Sequence, residues 1–331
     1  MYILYTMRTD TRERILDFVR KQKHVTAKLI IEQVELSPPA VFRQLSKLVR
    51  EGLLQKQGTP PKVFYSLVQT IPTQIDYLFD PEIEQVINER FLKVPPDGML
   101  QTGTHAFIGW CSARKLDPVK TSFEYVASLK KFDTYNKEGL IDGLYKISHS
   151  LPSIALDQVY YLDFYSVERF GKTKLGELVL YAKQSQNLAL IKRIVKDIED
   201  RFTDTLKRFH IDAVGFIPPT VKREVQLIRE LERLLHLPLP TLKITKIRTP
   251  IMVPQKTLSK LNERLENARK SFVVEERNTY HNILLIDDAI GSGATMNEIA
   301  EQIRSKNLCT GKIIGLALTG SFSGFEIIQE V

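Results

Sequence analysis

The chain has 331 residues, a size that calls for two or three domains, and its 43% hydrophobic and 26% charged residues describe ordinary globular material with enough apolar residues for a core. Two cysteines, Cys111 and Cys309, rule out a disulfide framework or a four-thiolate zinc site and point to a reducing compartment, the cytoplasm. The net charge is +8, and residues 1–70 hold 12 Lys and Arg against 6 Asp and Glu, so +6 of it sits in the first fifth of the chain.

At the N-terminus a short apolar start precedes the basic residues, an order opposite to that of a secretory signal. No apolar run approaches the roughly 18 residues that span a membrane, and the six histidines show no zinc-binding spacing. No metal site made of protein side chains alone is expected.

In chain order, Thr11–Gln22 carries Ile15, Leu16, Phe18 and Val19 as a helical stripe. A second short helix is expected at Thr26–Val34. Ser37 followed by Pro38 marks the start of a third, with Val41, Leu45, Leu48 and Val49 inward and Arg43, Gln44, Lys47 and Arg50 outward. Leu53–Gln57, a Gly-Thr-Pro-Pro turn and Lys62–Val68 read as a β-hairpin. Residues 1–70 thus resemble a winged helix-turn-helix domain that binds duplex DNA. The resemblance sends the third helix into the major groove. Ser37, Arg43, Gln44 and Lys47 then form the reading face, with Arg43 and Gln44 suited to base edges and Lys56 and Lys62 of the wing suited to phosphates. The alternative use of such a domain is protein contact or dimerisation.

Residues 71–157 read as a mainly helical linker or dimerisation segment, with helices at Pro81–Phe91 and Val119–Phe132 and an apolar string at 107–111. From 158 onward strand-like and helix-like runs alternate. Strands are expected at Leu178–Tyr181, Ala213–Ile217, Leu242–Ile247, Ile283–Ile286 and Lys312–Leu318. Helices are expected at Asn187–Phe209, Val221–Leu235, Ser259–Ala268 and Thr295–Lys306. The alternation predicts an α/β fold: a parallel sheet with helices on both faces. The aromatic run Tyr160–Tyr165 reads as core or interface.

The run Ile283 to Thr295 carries the most chemistry. An apolar strand ends in Asp287 and Asp288, and Gly291, Ser292, Gly293, Ala294 and Thr295 then open a helix. Glycines let successive N–H groups turn inward, and the helix N-terminus adds the positive end of its dipole, so the loop suits a phosphate. Paired carboxylates beside it suit the hydroxyls of a ribose.

This stretch resembles the phosphoribosyl pyrophosphate (PRPP) signature of type I phosphoribosyltransferases. There the acidic pair holds the ribose 2′- and 3′-hydroxyls and the loop holds the 5′-phosphate. Upstream, Arg248, Pro254-Gln255, Leu258, Arg264, Asn267 and Phe272 resemble the corresponding segment of ComF-type proteins, and Phe216-Ile217-Pro218-Pro219 with Arg223 resembles their second-strand turn. The resemblance covers residues 158–331. It implies Lys222 and Arg223 as pyrophosphate ligands, Gln255, Lys256 and Arg264 as parts of a flap, and Mg²⁺ arriving with PRPP. The chain departs from ComF-type proteins in having no four-cysteine module and in reading Arg223-Glu224-Val225-Gln226 where they have Arg-Gly-Phe-Asn.

These resemblances imply a DNA-binding regulator that responds to PRPP or a nucleotide, with a second copy of the chain as a candidate partner in a homodimer. Purine repressors of some bacteria have a similar arrangement. The alternatives are an active phosphoribosyltransferase of nucleotide metabolism or a ComF-like factor in DNA uptake during competence.

Overall fold

In the N-terminal part of the chain, the apolar stripes of three helices converge on one small core. The helices are α1 (Thr11–Gln22), α2 (Ala27–Val34) and α3 (Pro38–Arg50), joined by strands β1 (Val25–Thr26), β2 (Leu54–Gln57) and β3 (Phe64–Leu67). Ile15 and Val19 of α1, Ile30 and Val34 of α2, and Val41, Leu45 and Leu48 of α3 meet Val25, Leu54 and Tyr65 of the sheet. These are the spacings of one face of a helix.

Pro38 stands in the first turn of α3, where its missing N–H costs nothing. Ser37 precedes the helix in an extended conformation. Its side chain makes no capping bond; its carbonyl accepts from the N–H groups of Ala40 and Val41. Gly52, at φ +70°, ends the helix, and Arg12 of α1 pairs with Glu51 at 3.0 Å. The hairpin β2–β3 forms as expected. β1 adds a third antiparallel strand through Val25 opposite Tyr65.

The computed structural model describes residues 11–34, 36–58, 60–68, 77–149, 151–219, 221, 223–247 and 261–321, without the side chains of 261, 262, 264 and 265. It divides into two units, residues 1–76 and 77–331.

The second unit starts with α4 (Pro81–Arg90), the short strands β4 (Leu92–Lys93) and β5 (Gln101–Thr102), α5 (Gly103–Ser112), α6 (Pro118–Asp133), β6 (Asn136–Lys137), β7 (Leu140–Asp142) and α7 (Leu144–Ser148). There follow β8 (Gln158–Phe164), β9 (Ser166–Val167), β10 (Gly171–Lys172), α8 (Lys174–Ser185), α9 (Leu188–Arg208), β11 (Ala213–Phe216) and α10 (Leu227–Leu235). The chain continues with β12 (Ile244–Lys246), α11 (Leu261–Ser271), β13 (Phe272–Val274), β14 (Ile283–Ile290), α12 (Ala294–Ser305) and β15 (Ile313–Gly320).

Six strands form the main sheet in the order β11-β14-β15-β8-β7-β6. The first four are parallel, and β7 and β6 continue the sheet antiparallel. The sheet is therefore mixed rather than wholly parallel.

Alternation along β14 builds both faces. Ile283 and Leu285 point into one core and Leu284 and Ile286 into the other. The second core holds α8, α9 and α10 through Leu178, Ile194, Ile198 and Leu231. The first holds α4, α5, α6 and α12 through Ile87, Phe107, Tyr125 and Ile299. Residues 77–157 thus share a core with residues 158–321, and the boundary expected at 157 falls inside one unit. The apolar faces of α4 to α6 find their cover on the sheet, and β6 and β7 lengthen it.

Two expectations on the other face need correction. Leu178–Tyr181 lies within α8 and is not a strand. Leu175, Leu178, Val179 and Ala182 are all buried at helical spacing, and the Thr173 hydroxyl caps the helix by accepting the N–H of Gly176 at 3.0 Å. α10 starts at Leu227, not Val221. The Gln226 amide donates to the carbonyls of Val221 and Arg223 at 3.1 Å and holds that stretch as a loop. Among the described residues no helix is long and apolar enough to cross a membrane.

Candidate functional site

On the first unit, α3 presents a cationic face. Val41, Leu45 and Leu48 are buried, so Arg43, Lys47 and Arg50, which fall on the opposite side of a 3.6-residue helix, are exposed. Ser37 is exposed at its start and Gln44 is half-buried on its flank. Lys56 on β2 and Lys62 at the wing turn are exposed. Six residues expected at a DNA interface therefore occupy the outer surface of the helix and wing. Phe42 is also half exposed on α3, an apolar side chain that the charge pattern did not single out.

Residues 8–55 match the family of winged helix-turn-helix DNA-binding domains. The chain carries a winged helix-turn-helix DNA-binding domain at its N-terminus. Among curated proteins no significant relative is found. The family match ends at residue 55, so the second unit is read from its geometry.

In that unit a pocket of about 240 Å³ opens beyond the carboxyl ends of β11 and β14. Asp287, Asp288 and the whole loop Gly291–Thr295 line it, as does Arg223 from the turn after β11. The acidic pair and the adjoining glycine loop are therefore brought to one cavity with one of the two expected pyrophosphate cations, Arg223, which lies 64 residues or more before them in sequence. Lys222, Gln255 and Lys256 lie outside the described residues, and Arg264 belongs to α11 with its side chain outside them. β12 and β13 pair antiparallel on either side of that stretch.

The strand runs on past the acids. β14 extends to Ile290, with Asp287 opposite Ala317 and Ala289 opposite Thr319 of β15. Ladder pairs therefore fix the backbone at Asp287 and just beyond Asp288, where the sequence had suggested a strand ending at Ile286. The Asp288 N–H donates to Asp287 Oδ1 at 2.7 Å. Burial and the neighbouring Asp288 carboxylate push Asp287 well above the usual carboxylate range; the Asp288 N–H and Lys183 oppose this.

At the loop, Gly293 takes φ +74° and stands at the N-terminus of α12. A β-carbon there would lie 2.9 Å from Ile147, so α7 packs directly against the loop. The Ser292 hydroxyl lies 3.4 Å from the Ala294 N–H. Gly291 has no such constraint: a β-carbon there would meet nothing within 4 Å.

Sequence reasoning missed Lys183 and Tyr165, which also line the cavity. Lys183 Nζ donates to Asp288 Oδ1 at 3.2 Å, with side chains 24% and 16% exposed. The only signal in the sequence was a cation following the apolar stretch of α8. The rest of the wall is mostly apolar, including Leu180, Ile217, Pro218 and Val221, with Gln226 as a further polar side chain. Among the described residues no group of three His, Cys, Asp or Glu side chains is placed to hold a metal ion.

Proposed function

We propose that the protein is a transcriptional regulator whose DNA-binding domain responds to PRPP or a ribonucleoside 5′-phosphate bound in the pocket of the second unit. The observation that carries this reading is the meeting of Asp287, Asp288, the loop Gly291–Thr295 and Arg223 in one cavity beyond the carboxyl ends of parallel strands, the place where open α/β sheets bind ligands. The acidic pair accepts hydrogen bonds from ribose hydroxyls. The loop and the head of α12 receive the 5′-phosphate, and Arg223 faces a diphosphate. Resemblance to ComF-type and other type I phosphoribosyltransferases supports the same assignment.

A Mg²⁺ ion accompanying the ligand's diphosphate would be held by Asp287 and Asp288. Asp287 and Asp288 offer the hard oxygen donors it prefers, and their mutual repulsion is eased by a cation. The ion supplies charge neutralisation when bound.

Calorimetry of the full chain with Mg²⁺-PRPP tests the reading. Binding to the wild type that is lost when Asp287 and Asp288 are both replaced by Ala supports it, and equal affinity in the double variant overturns it. Release of pyrophosphate on incubation with PRPP and a panel of bases would make the second unit a working transferase. Such an enzyme acts chiefly by positioning and charge neutralisation.

A further inference from the structure

Lys183 stands between two parts of the pocket that the sequence read separately. On one side it holds Asp288. On the other, three residues further along the chain, the Gln186 side chain accepts the N–H of Val225 at 3.0 Å. That bond ties the end of α8 to the loop Val221–Gln226, which carries Arg223. Lys183 thus lies where the acidic pair adjoins the turn assigned to a diphosphate.

The helix presenting it is fixed. Thr173 caps α8, its apolar face is buried, and Glu177 pairs with Lys93 at 2.9 Å with both side chains largely buried. The ammonium is therefore displayed from a rigid element, on a stem flexible enough to share its three donors between Asp288 and a second acceptor.

The charges give it a task. Asp287 and Asp288 face the same space as Lys183 and Arg223. A ribose phosphate whose carbon 1 bears only a hydroxyl brings one anion, and the loop receives it. A ribose phosphate with a diphosphate on carbon 1 brings a second, set next to the hydroxyls and so next to the carboxylates. Like charges at that range repel unless a cation stands between them.

We propose that Lys183 is a specificity-determining residue that allows the pocket to prefer a ribose 5-phosphate carrying a diphosphate on carbon 1 over one without it. The proposal rests on the ligand assignment made above.

The test is a ratio of affinities. PRPP and ribose 5-phosphate, each with Mg²⁺, are titrated by calorimetry into the full-length wild type, Lys183→Ala and Lys183→Arg. The wild type is expected to favour PRPP. Lys183→Ala should shrink that preference by about tenfold or more, the effect of one charge-assisted hydrogen bond, and Lys183→Arg should restore most of it. A general loss of folded protein lowers both affinities together and leaves the ratio untouched, so circular dichroism need only confirm folding. An unchanged ratio in Lys183→Ala, or a wild type with no preference, overturns the role of Lys183 while the ligand assignment stands. A wild type that binds neither compound overturns the ligand assignment itself.

Discussion

The two glycines of the loop before α12 give a sharp test, because the structure assigns them different tasks. Gly293 lies at φ +74°, where a residue with a β-carbon costs about 1–2 kcal/mol. Its β-carbon would also stand 2.9 and 3.0 Å from two carbons of Ile147, itself 1% exposed and packed in the core. Forcing a methyl into such a space costs about 1–3 kcal/mol. Gly293→Ala should therefore destabilise the second unit by about 2–5 kcal/mol. Gly291→Ala, with nothing within 4 Å, should stay within about 0.5 kcal/mol of the wild type. Trp110 is the only tryptophan of the chain and is buried in that unit's core, so its fluorescence during urea unfolding reports the unit in the full-length protein. Adding Ile147→Ala to Gly293→Ala should give a favourable coupling of about 1–3 kcal/mol, since it removes the steric share and leaves the conformational one. Equal unfolding midpoints for the two glycine variants would refute the assignment.

Other perturbations address charge. Binding of the full chain to duplex DNA should weaken steeply with salt as phosphate contacts release counterions. Arg43→Ala should narrow the gap between preferred and random sequences, whereas Lys62→Ala should weaken all duplexes alike; electrophoretic titrations in which both variants behave identically would contradict this division. In β8, burial raises Asp163 to about 6 from its ordinary 3.8, against the opposing pull of Arg90 and the Phe164 N–H. A raised carboxyl favours the protonated fold, so its contribution is full below pH 4 and lost as pH rises through 6, amounting to at most about 3 kcal/mol. Asp163→Asn should flatten that part of the pH profile in Trp110-monitored unfolding, and an identical slope in wild type and variant would show that Asp163 does not titrate this way.

What the sequence revealed, and what it hid, follows from the range of the forces involved. α1, α3 and β14 are visible because each satisfies its own periodicity, and the acid pair and glycine loop are contiguous in the chain. β1, β6 and β7 have two or three residues each, too few for any period. β1 and β7 exist because Tyr65 and Tyr161, 20 to 40 residues away, complete their hydrogen bonds, and β6 exists because β7, once placed, offers it an edge. Leu178–Tyr181 reads as a strand when taken alone. The helix follows only from the wider spacing of Leu175, Leu178, Val179 and Ala182 and from the Thr173 cap. Lys183 could not be assigned, because its meaning is its distance to Asp288, 105 residues away. The middle segment looked like a spacer because amphipathic helices do not announce which surface covers them.

That last point bears on how a ligand could reach the DNA-binding domain. α4 begins within five residues of the boundary at Asp76, and its Ile83 and Ile87 lie in the same core as Ala294, Met296 and Ile299 of α12. α12 starts at the loop Gly291–Gly293 and is bonded through Asn297 to Ala155 and Ser153, and through Glu298 and Gln302 to α11 and β13. A ligand that orders the head of α12 therefore acts on a body to which the first helix after the boundary also belongs. Coupling requires that PRPP bind the DNA-competent and DNA-incompetent states unequally. The expected coupling is about 1–3 kcal/mol, or roughly 5–150-fold in duplex affinity. Titrating labelled duplex with the full chain at fixed salt, with and without saturating Mg²⁺-PRPP, measures it directly. The shift should vanish in the Asp287/Asp288 double alanine variant while DNA binding persists. Superimposable wild-type curves under conditions where calorimetry shows PRPP bound would mean that the two units work independently, and the second would then be better read as an enzyme than as a sensor.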